Sequence, residues 1–398
     1  MLRYLTAGES HGPQLTAILD GFPAGVPVEL DKVNFQLARR QKGYGRGGRM
    51  QIEQDTVEIS SGIRFGVSTG APITLVIKNR DWENWSDIMR ADRPDQLDAA
   101  AEEKRKSRRV TQPRPGHADL VGGIKYRHDD LRNVLERASA RETTARTAVG
   151  AVARQLLEQF QVEFASHVVR IGQAALTSSG YPSDLAAMRE LTEKSEVRCI
   201  DKDTEAQMIS EIKRARGAGD SVGGEVESVV RGLPVGLGSY AQWSDRLDAR
   251  LAAALMSIPS VKGVQIGLGF AAAALPGSQV HDEIVYDPDG APAKMGYRRT
   301  SNNAGGIEGG ITNGEDIVAR VAAKPISTLV RPLKTVDIVT KEPVMATVER
   351  TDFCVVPALA VICEAMSALV LADAFLAKFG GDSLEEIRRN YNSCLAAK

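Results

Sequence analysis

Residues 108–160 read RRVTQPRPGHADLVGGIKYRHDDLRNVLERASARETTARTAVGAVARQLLEQF, and the second half of this stretch reads as an amphipathic helix. Val149, Val152, Ala153, Leu156, Leu157 and Phe160 recur at the i, i+3, i+4 spacing that lays one apolar stripe on a core. Ahead of that stripe Arg127, Arg132, Arg137, Arg141 and Arg146 arrive every four or five residues. Ser139, Thr143, Thr144 and the small Ala138 and Ala140 stand between them. A solvated helix face mixes Lys and Glu with longer polar residues. Arg among small hydroxyl residues instead predicts a pocket floor, where a planar guanidinium binds a carboxylate or phosphate bidentately.

Just upstream, Pro113-Arg114-Pro115-Gly116-His117-Ala118-Asp119 predicts a held loop. The two prolines stiffen it and Gly116 lets it turn, so His117 is presented outside a helix. A lone histidine there would more often satisfy a backbone carbonyl. Flanked by Arg114 and followed by the arginine ladder, His117 reads as a proton donor beside anion clamps.

The chain of 398 residues is long enough for a large core, and its formal net charge is -1. Local basic stretches are therefore balanced elsewhere, which favours confined anion sites over a nucleic-acid-binding surface. Cys199, Cys354, Cys363 and Cys394 lack metal-ligand spacing, and no metal site is expected. They outline no disulfide framework either, so a reducing cytoplasm is the expected compartment. No targeting segment is read at Met1–Leu5. The apolar run Val355–Phe379 is interrupted by Pro357, Glu364 and Asp373, which predicts a buried helix and no membrane span.

Taken in order, Gly8-Glu9-Ser10-His11-Gly12 leads into a strand to Leu19, with Asp31 the expected N-cap of a short helix through Leu37. Arg39-Arg40-Gln41-Lys42-Gly43-Tyr44-Gly45-Arg46-Gly47-Gly48-Arg49 predicts a mobile cationic loop that closes on an anion. It is too brief and too well bounded for an RGG-type RNA-binding segment. Strands are expected over Thr56–Ser60, Ile73–Ile77 and Val162–Ile171, and Asp81–Arg109 reads as a charged surface excursion. No Rossmann fingerprint or Walker A loop is present. Gly380-Gly381 ends the long helix, and Ser383 with Glu386 forms a capping box for the last one.

A repeat emerges from the same pass. Gly8 to Gly25 aligns without a gap on Gly219 to Gly236, and Gly62, Gly66, Gly70 and Ile73 align on Gly306, Gly310, Gly314 and Ile317. Glu136-Arg137 before one long helix matches Glu349-Arg350 before another. Three matches in one order predict two halves, about 1–180 and 210–398, within a single domain spanning 1–398. His11 has no counterpart in the second copy, where Val222 stands, so His11 is not expected to be scaffold.

GESHGPQLTAILDGFP at the start, RQKGYGRGGRM, RPGHADLVGG, ERASARETTARTAVGA and the late ERTD resemble the motifs of chorismate synthases, in that family's order and along nearly the whole chain. The resemblance implies an α+β fold of antiparallel sheets and long helices in layers. It implies a lyase that removes phosphate and a ring hydrogen from 5-enolpyruvylshikimate 3-phosphate by 1,4-elimination, giving chorismate on the route to aromatic amino acids. It also implies reduced FMN as cofactor, NADPH as an indirect reductant, and a homotetramer. With no nicotinamide fingerprint in the chain, a separate flavin reductase is expected as partner.

By motif, the resemblance makes His117 the acid at the departing phosphate, His11 an acid at the flavin, and Asp352 a group near the flavin's reactive edge. Ser10, Arg40, Arg46, Arg49, Arg114 and Arg141 would hold substrate. Arg137, Ala138, Ser139, Pro259, Ser260, Gly309, Lys324, Pro325, Ile326, Ser327, Thr328 and Arg350 would hold the flavin. Two departures from the family pattern are Thr351, where Ser or His is usual, and Pro259-Ser260 in place of an amide-Ala pair. A nucleic-acid-binding protein is disfavoured because stacking aromatics are scarce in the basic runs. A flavin-dependent reductase on the same fold is the second alternative.

Overall fold

The structure, a computed structural model, describes residues 1–47, 54–92, 98–177, 180–287 and 294–396. Gly48 and Arg49 lie outside the described residues. Nine strands make the two main sheets: β1 (Arg3–Ala7), β2 (Gln14–Asp20), β3 (Glu58–Ser61), β4 (Ile73–Lys78), β5 (Glu163–Ile171), β6 (Ala174–Ala175), β7 (Gly224–Arg231), β8 (Val261–Ile266) and β9 (Ile317–Ala323). The first sheet runs β1-β2-β4-β3 and the second β8-β9-β7-β5-β6, with every pairing antiparallel. The fold is α+β.

Alternation decides which face of the first sheet is covered. Leu15, Ala17 and Leu19 of β2 and Ile73, Leu75 and Ile77 of β4 are buried, while Leu5 of β1 and Ile18 of β2 stand exposed on the other face. Between the sheets lie α4 (Thr143–Glu158) and α6 (Val356–Phe379), with α1 (Leu30–Gln41), α5 (Leu247–Met256) and α7 (Leu384–Ala396) packed on them, while the short α2 (Asp119–Tyr126) and α3 (Arg132–Ala138) pack on each other. Helix α4 packs on the first sheet, α6 on the second, and the two pack on each other. A Cβ on Gly150 of α4 would lie 2.5 Å from the Ala365 Cβ of α6, so only glycine permits that approach. Helix α6 is the apolar run of the sequence and is buried between the layers.

The two sheets share strand order and register. Leu19 pairs with Ile73 as Val230 pairs with Ile317, and Gln14 with Lys78 as Glu225 with Ala322. Ser68 Oγ donates to the Pro23 carbonyl and accepts from the Val26 N–H. Thr312 Oγ1 does the same with Pro234 and Leu237. These are the positions that the sequence alignment of the two halves makes equivalent.

The junction of the layers is closed by charge. Arg39 of α1 binds Glu364 of α6 bidentately at 2.7 and 3.0 Å, and Arg154 of α4 reaches the same carboxylate at 2.9 Å. Ser166 of β5 donates to it as well. A buried carboxylate with three donors is satisfied rather than stranded.

Several local expectations need correction. Helix α1 begins at Leu30 with Glu29 as N-cap, so Asp31 falls in the first turn, where it still favours the positive end of the helix dipole. Residues 108–160 hold separate short helices rather than one floor of arginines. Arg127 sits in the left-handed region at φ 56 and ends α2, and the backbone is extended at Ser139 after α3, so Arg127, the Arg132 and Arg137 pair, and Arg141 with Arg146 fall on separate elements. Gly380 ends α6 at φ 60, and Ser383 and Glu386 bond reciprocally, both as expected.

Candidate active site

One cavity of about 1010 Å³ opens between the two halves. Its walls come from the loop after β1, the end of α1, the Arg114–Ala118 turn, the start of α4, the loop before β8, the strap after β9 and the segment 348–362 leading into α6. Of the residues singled out in the sequence, Ser10, His11, Arg40, Arg46, Arg114, His117, Ala138, Ser139 and Arg141 line it from the first half. Pro259, Ser260, Lys324, Ile326, Ser327, Thr328, Arg350 and Asp352 line it from the second.

Three do not line it. Arg137 turns away, its guanidinium bonded to the Thr6 carbonyl at 2.9 Å, to Thr6 Oγ1 and to the Gly8 carbonyl. Gly309 forms the exposed tip of the Ile307–Thr312 hairpin. Pro325 lies in the strap while its neighbours face the cavity. Of the arginine ladder only Arg141 reaches the wall. Arg132 is buried beneath it, and Arg146 bonds Glu142 and Ser257.

The deep end is cationic. Arg40 Nε and Nη2 donate to Thr143 Oγ1 at 3.0 and 2.8 Å, and Nη2 also to the Ala140 carbonyl. Its Nη1 is buried with no hydrogen-bond partner among the described residues, and Asp55 Oδ2 lies 3.7 Å off. Burial, together with the neighbouring Arg46 and Arg141 charges, pulls Arg40 down to about 9 despite Asp55. Arg141 pairs with Asp55 and donates to Asn79 Oδ1 at 2.8 Å. Arg46 meets Asp352 at 3.2 Å, and the Gly47 N–H donates to the same carboxylate. The described part of the glycine loop is thus tied at Asp352, where the sequence predicts arginines without fixed partners.

Each histidine is seated by a carboxylate. His11 Nδ1 lies 2.9 Å from Glu136 Oε1, and its backbone N–H donates to Glu136 Oε2. The ring stacks on Trp85 with centroids 3.9 Å apart. Arg132 bridges Glu136 at 3.1 Å and Glu349 at 2.8 Å, the two equivalent glutamates of the aligned halves. His117 Nδ1 lies 2.6 Å from Asp119 Oδ1. Burial alone would raise Asp119, but hydrogen bonds and charge from His117 and Arg114 outweigh it and hold the carboxyl well below its usual range.

A second cationic region lies at the mouth. Lys262 and Lys324 both line the cavity there. Burial and the Lys262 charge hold Lys324 below its ordinary value. Lys324 Nζ and Ser327 Oγ both donate to the Gly116 carbonyl, which fastens the strap to the His117 turn.

Sequence reading missed Asp55, Asn79, Asp81, Trp85, Asp119, Glu136 and Lys262 as site residues. Trp85 had a signal: Trp82 and Trp85 are large aromatics in an otherwise charged stretch, and Trp85 is 4% exposed. Its Nε1 donates to Asp81, which also accepts from Arg350, so the excursion forms a wall.

A family model described as chorismate synthase matches residues 2–376. The chain belongs to the chorismate synthase family. It is 55% identical to the chorismate synthase of Geotalea uraniireducens (strain Rf4) over 397 residues, covering 99% of this chain and 98% of that one. Against the chorismate synthase of Geobacter sulfurreducens it is 56% identical over 397 residues, with the same coverage. A solved structure titled Crystal Structure of Chorismate Synthase matches with a TM-score of 0.77 and 43% identity, covering 99% of this chain and 97% of that one. As a chorismate synthase family member, the chain is a lyase acting on a small molecule.

Proposed function

We propose that the chain converts 5-enolpyruvylshikimate 3-phosphate to chorismate, with reduced FMN bound in the same cavity. The observation that carries this reading is the convergence of Arg40, Arg46, Arg141, His11 and His117 on one cavity built from both halves. Its volume matches a flavin nucleotide and a substrate better than one small ligand alone. The unmatched Arg40 Nη1 fits a substrate anion at the deep end. Lys262 and Lys324, two cations without a carboxylate between them, fit a phosphate at the mouth.

The reaction breaks one ring C–H bond and the C–O bond to phosphate, forms one new ring double bond, and has no net redox change. Lys324, Ser327, Thr328 and Arg350 would hold the reduced flavin, which would supply the electron density that eases phosphate departure. The protein's part is electrostatic. Arg40, Arg46 and Arg141 hold the substrate's anionic groups in a site where water is displaced, so charge developing on the leaving phosphate meets fixed positive charge. Ser10 stands beside them. His117 delivers a proton to the departing phosphate, and His11, seated by Glu136 and Trp85, holds a proton at the flavin side. Asp352 fixes Arg46 and the glycine loop at the same wall.

The same reading makes the protein a cytoplasmic homotetramer whose flavin is reduced by a separate reductase drawing on NADPH. It also makes residues 1–398 one domain of two repeated halves, which the shared register of the two sheets supports. Anaerobic turnover with photoreduced FMN, with and without NADPH, tests the reading. Chorismate and phosphate should appear in equal amounts with reduced FMN alone. Phosphate release that ignores flavin reduction would overturn it. Turnover driven by NADPH and oxidised FMN without a reductase would overturn only the partner.

A further inference from the structure

We infer that Asp119 is a positioning residue that fixes the tautomer of His117 and directs the other ring nitrogen at the substrate. The inference rests on His117 being the acid of the proposed reaction. Asp119 is fully buried at the first position of α2, and both its oxygens are engaged, Oδ1 also accepting from Arg114 Nη2 at 3.1 Å. Oδ1 lies 2.6 Å from His117 Nδ1. Oδ2 accepts from the Arg114 N–H at 3.1 Å and from Arg114 Nε at 2.8 Å. Arg114 in turn donates from Nη1 to Thr328 Oγ1 at 2.6 Å, which ties the carboxylate to the strap of the second half.

The chemistry follows from the partners. His117 Nδ1 has two neighbours, Asp119 Oδ1 at 2.6 Å and the Arg114 Nη2 donor at 3.1 Å; the nearer is a carboxylate that only accepts, so it selects the imidazole with its proton on Nδ1, and Nη2 is left to Asp119. The remaining ring nitrogen, Nε2, is the one left to carry and release the second proton. Arg114 lines the cavity, yet its Nε, Nη1 and Nη2 each meet Asp119 or Thr328, so it braces Asp119 whatever else it holds. The same construction recurs at the other histidine, where Glu136 holds His11 Nδ1 and is itself held by Arg132.

Selective ¹⁵N-histidine labelling tests this on the unaltered protein, which has five histidines. At mildly alkaline pH, His117 should show a protonated Nδ1 and a bare Nε2; the opposite tautomer would overturn the inference. Asp119→Asn should lower kcat by about 10²-fold while the substrate KM moves less than about threefold. The Asp119→Asn/His117→Ala double variant should be no slower than His117→Ala alone, because a positioning residue has nothing left to position. Additive losses, or an Asp119→Asn enzyme with full kcat, would refute the role. Full turnover by folded His117→Ala would instead sink the acid assignment on which the inference stands. If Asp119→Asn does not fold, the tautomer measurement still decides.

Discussion

Lys324 Nζ donates to the Gly116 carbonyl at 2.9 Å, joining a strap of the second half to the turn that carries His117 in the first. Ser327 Oγ reinforces the contact at 3.0 Å. The cation proposed for the flavin phosphate is therefore also a brace for the catalytic turn, and Gly116, at φ 77, is the residue that lets the turn present its carbonyl. Lys324→Met should weaken FMN binding about tenfold or more, the worth of one charge-assisted hydrogen bond of ~1.5–3 kcal/mol. Flavin fluorescence titration reads this directly, and unchanged affinity would place the phosphate elsewhere.

Arg40 is the second case. A buried guanidinium crowded by Arg46 and Arg141 is offset in part by Asp55, and an anion beside its Nη1 would offset it further. Inorganic phosphate should raise the thermal midpoint of the parent protein and raise that of Arg40→Met much less. Equal shifts in the two proteins would show that Arg40 does not meet the anion.

Glu364 sets an acid limit on the fold. Burial raises it, but Arg39, Arg154 and Ser166 outweigh that and hold it at about 2, below the ~4.3 of an unfolded glutamate. A depressed carboxylate contributes stability above its unfolded value and loses it as pH falls towards the folded one. Denaturant titrations should therefore show stability dropping from about pH 4.3 downward. Glu364→Gln should flatten that drop and cost up to ~3 kcal/mol at neutral pH, because buried Arg39 and half-buried Arg154 each lose one of two carboxylate partners, keeping Glu193 and Glu158.

Gly150 makes a steric prediction with no electrostatics in it. Gly150→Ala places a methyl 2.5 Å from Ala365 and must force α4 and α6 apart, costing ~1–3 kcal/mol. A circular-dichroism melt at or above the parent's would show that the helices have slack there.

Residues that sit in motifs were brought together, because the motif fixes both chemistry and loop: His11, Arg40, His117, Lys324, Ile326, Ser327 and Thr328 all line one cavity. The offsets that align the glycines also relate two strand pairings, Leu19 with Ile73 and Val230 with Ile317. The arginine ladder misled. Regular spacing implies a common face only while one helix continues, and the chain breaks twice, at left-handed Arg127 and at extended Ser139. Trp85 was hidden for a different reason. Charged neighbours made its stretch look solvated, whereas Arg108 and Arg132 lie over its ring and His11 stacks on it. Asp119 and Glu136 were in view but unassigned, because which ring nitrogen a carboxylate holds is decided only in three dimensions.

Arg132 ties Glu136 to Glu349, and Ile362 of α6 still faces the cavity. During synthesis, then, the first half can build its sheet while the pocket has only one wall. The site closes once residues to about the middle of α6 have left the ribosome and met partners more than two hundred positions earlier, as Arg132 and Glu349 do. Until that moment Arg40 and Arg141 hold only their first-half partners, Thr143 and Asp55, and the opposite wall is missing.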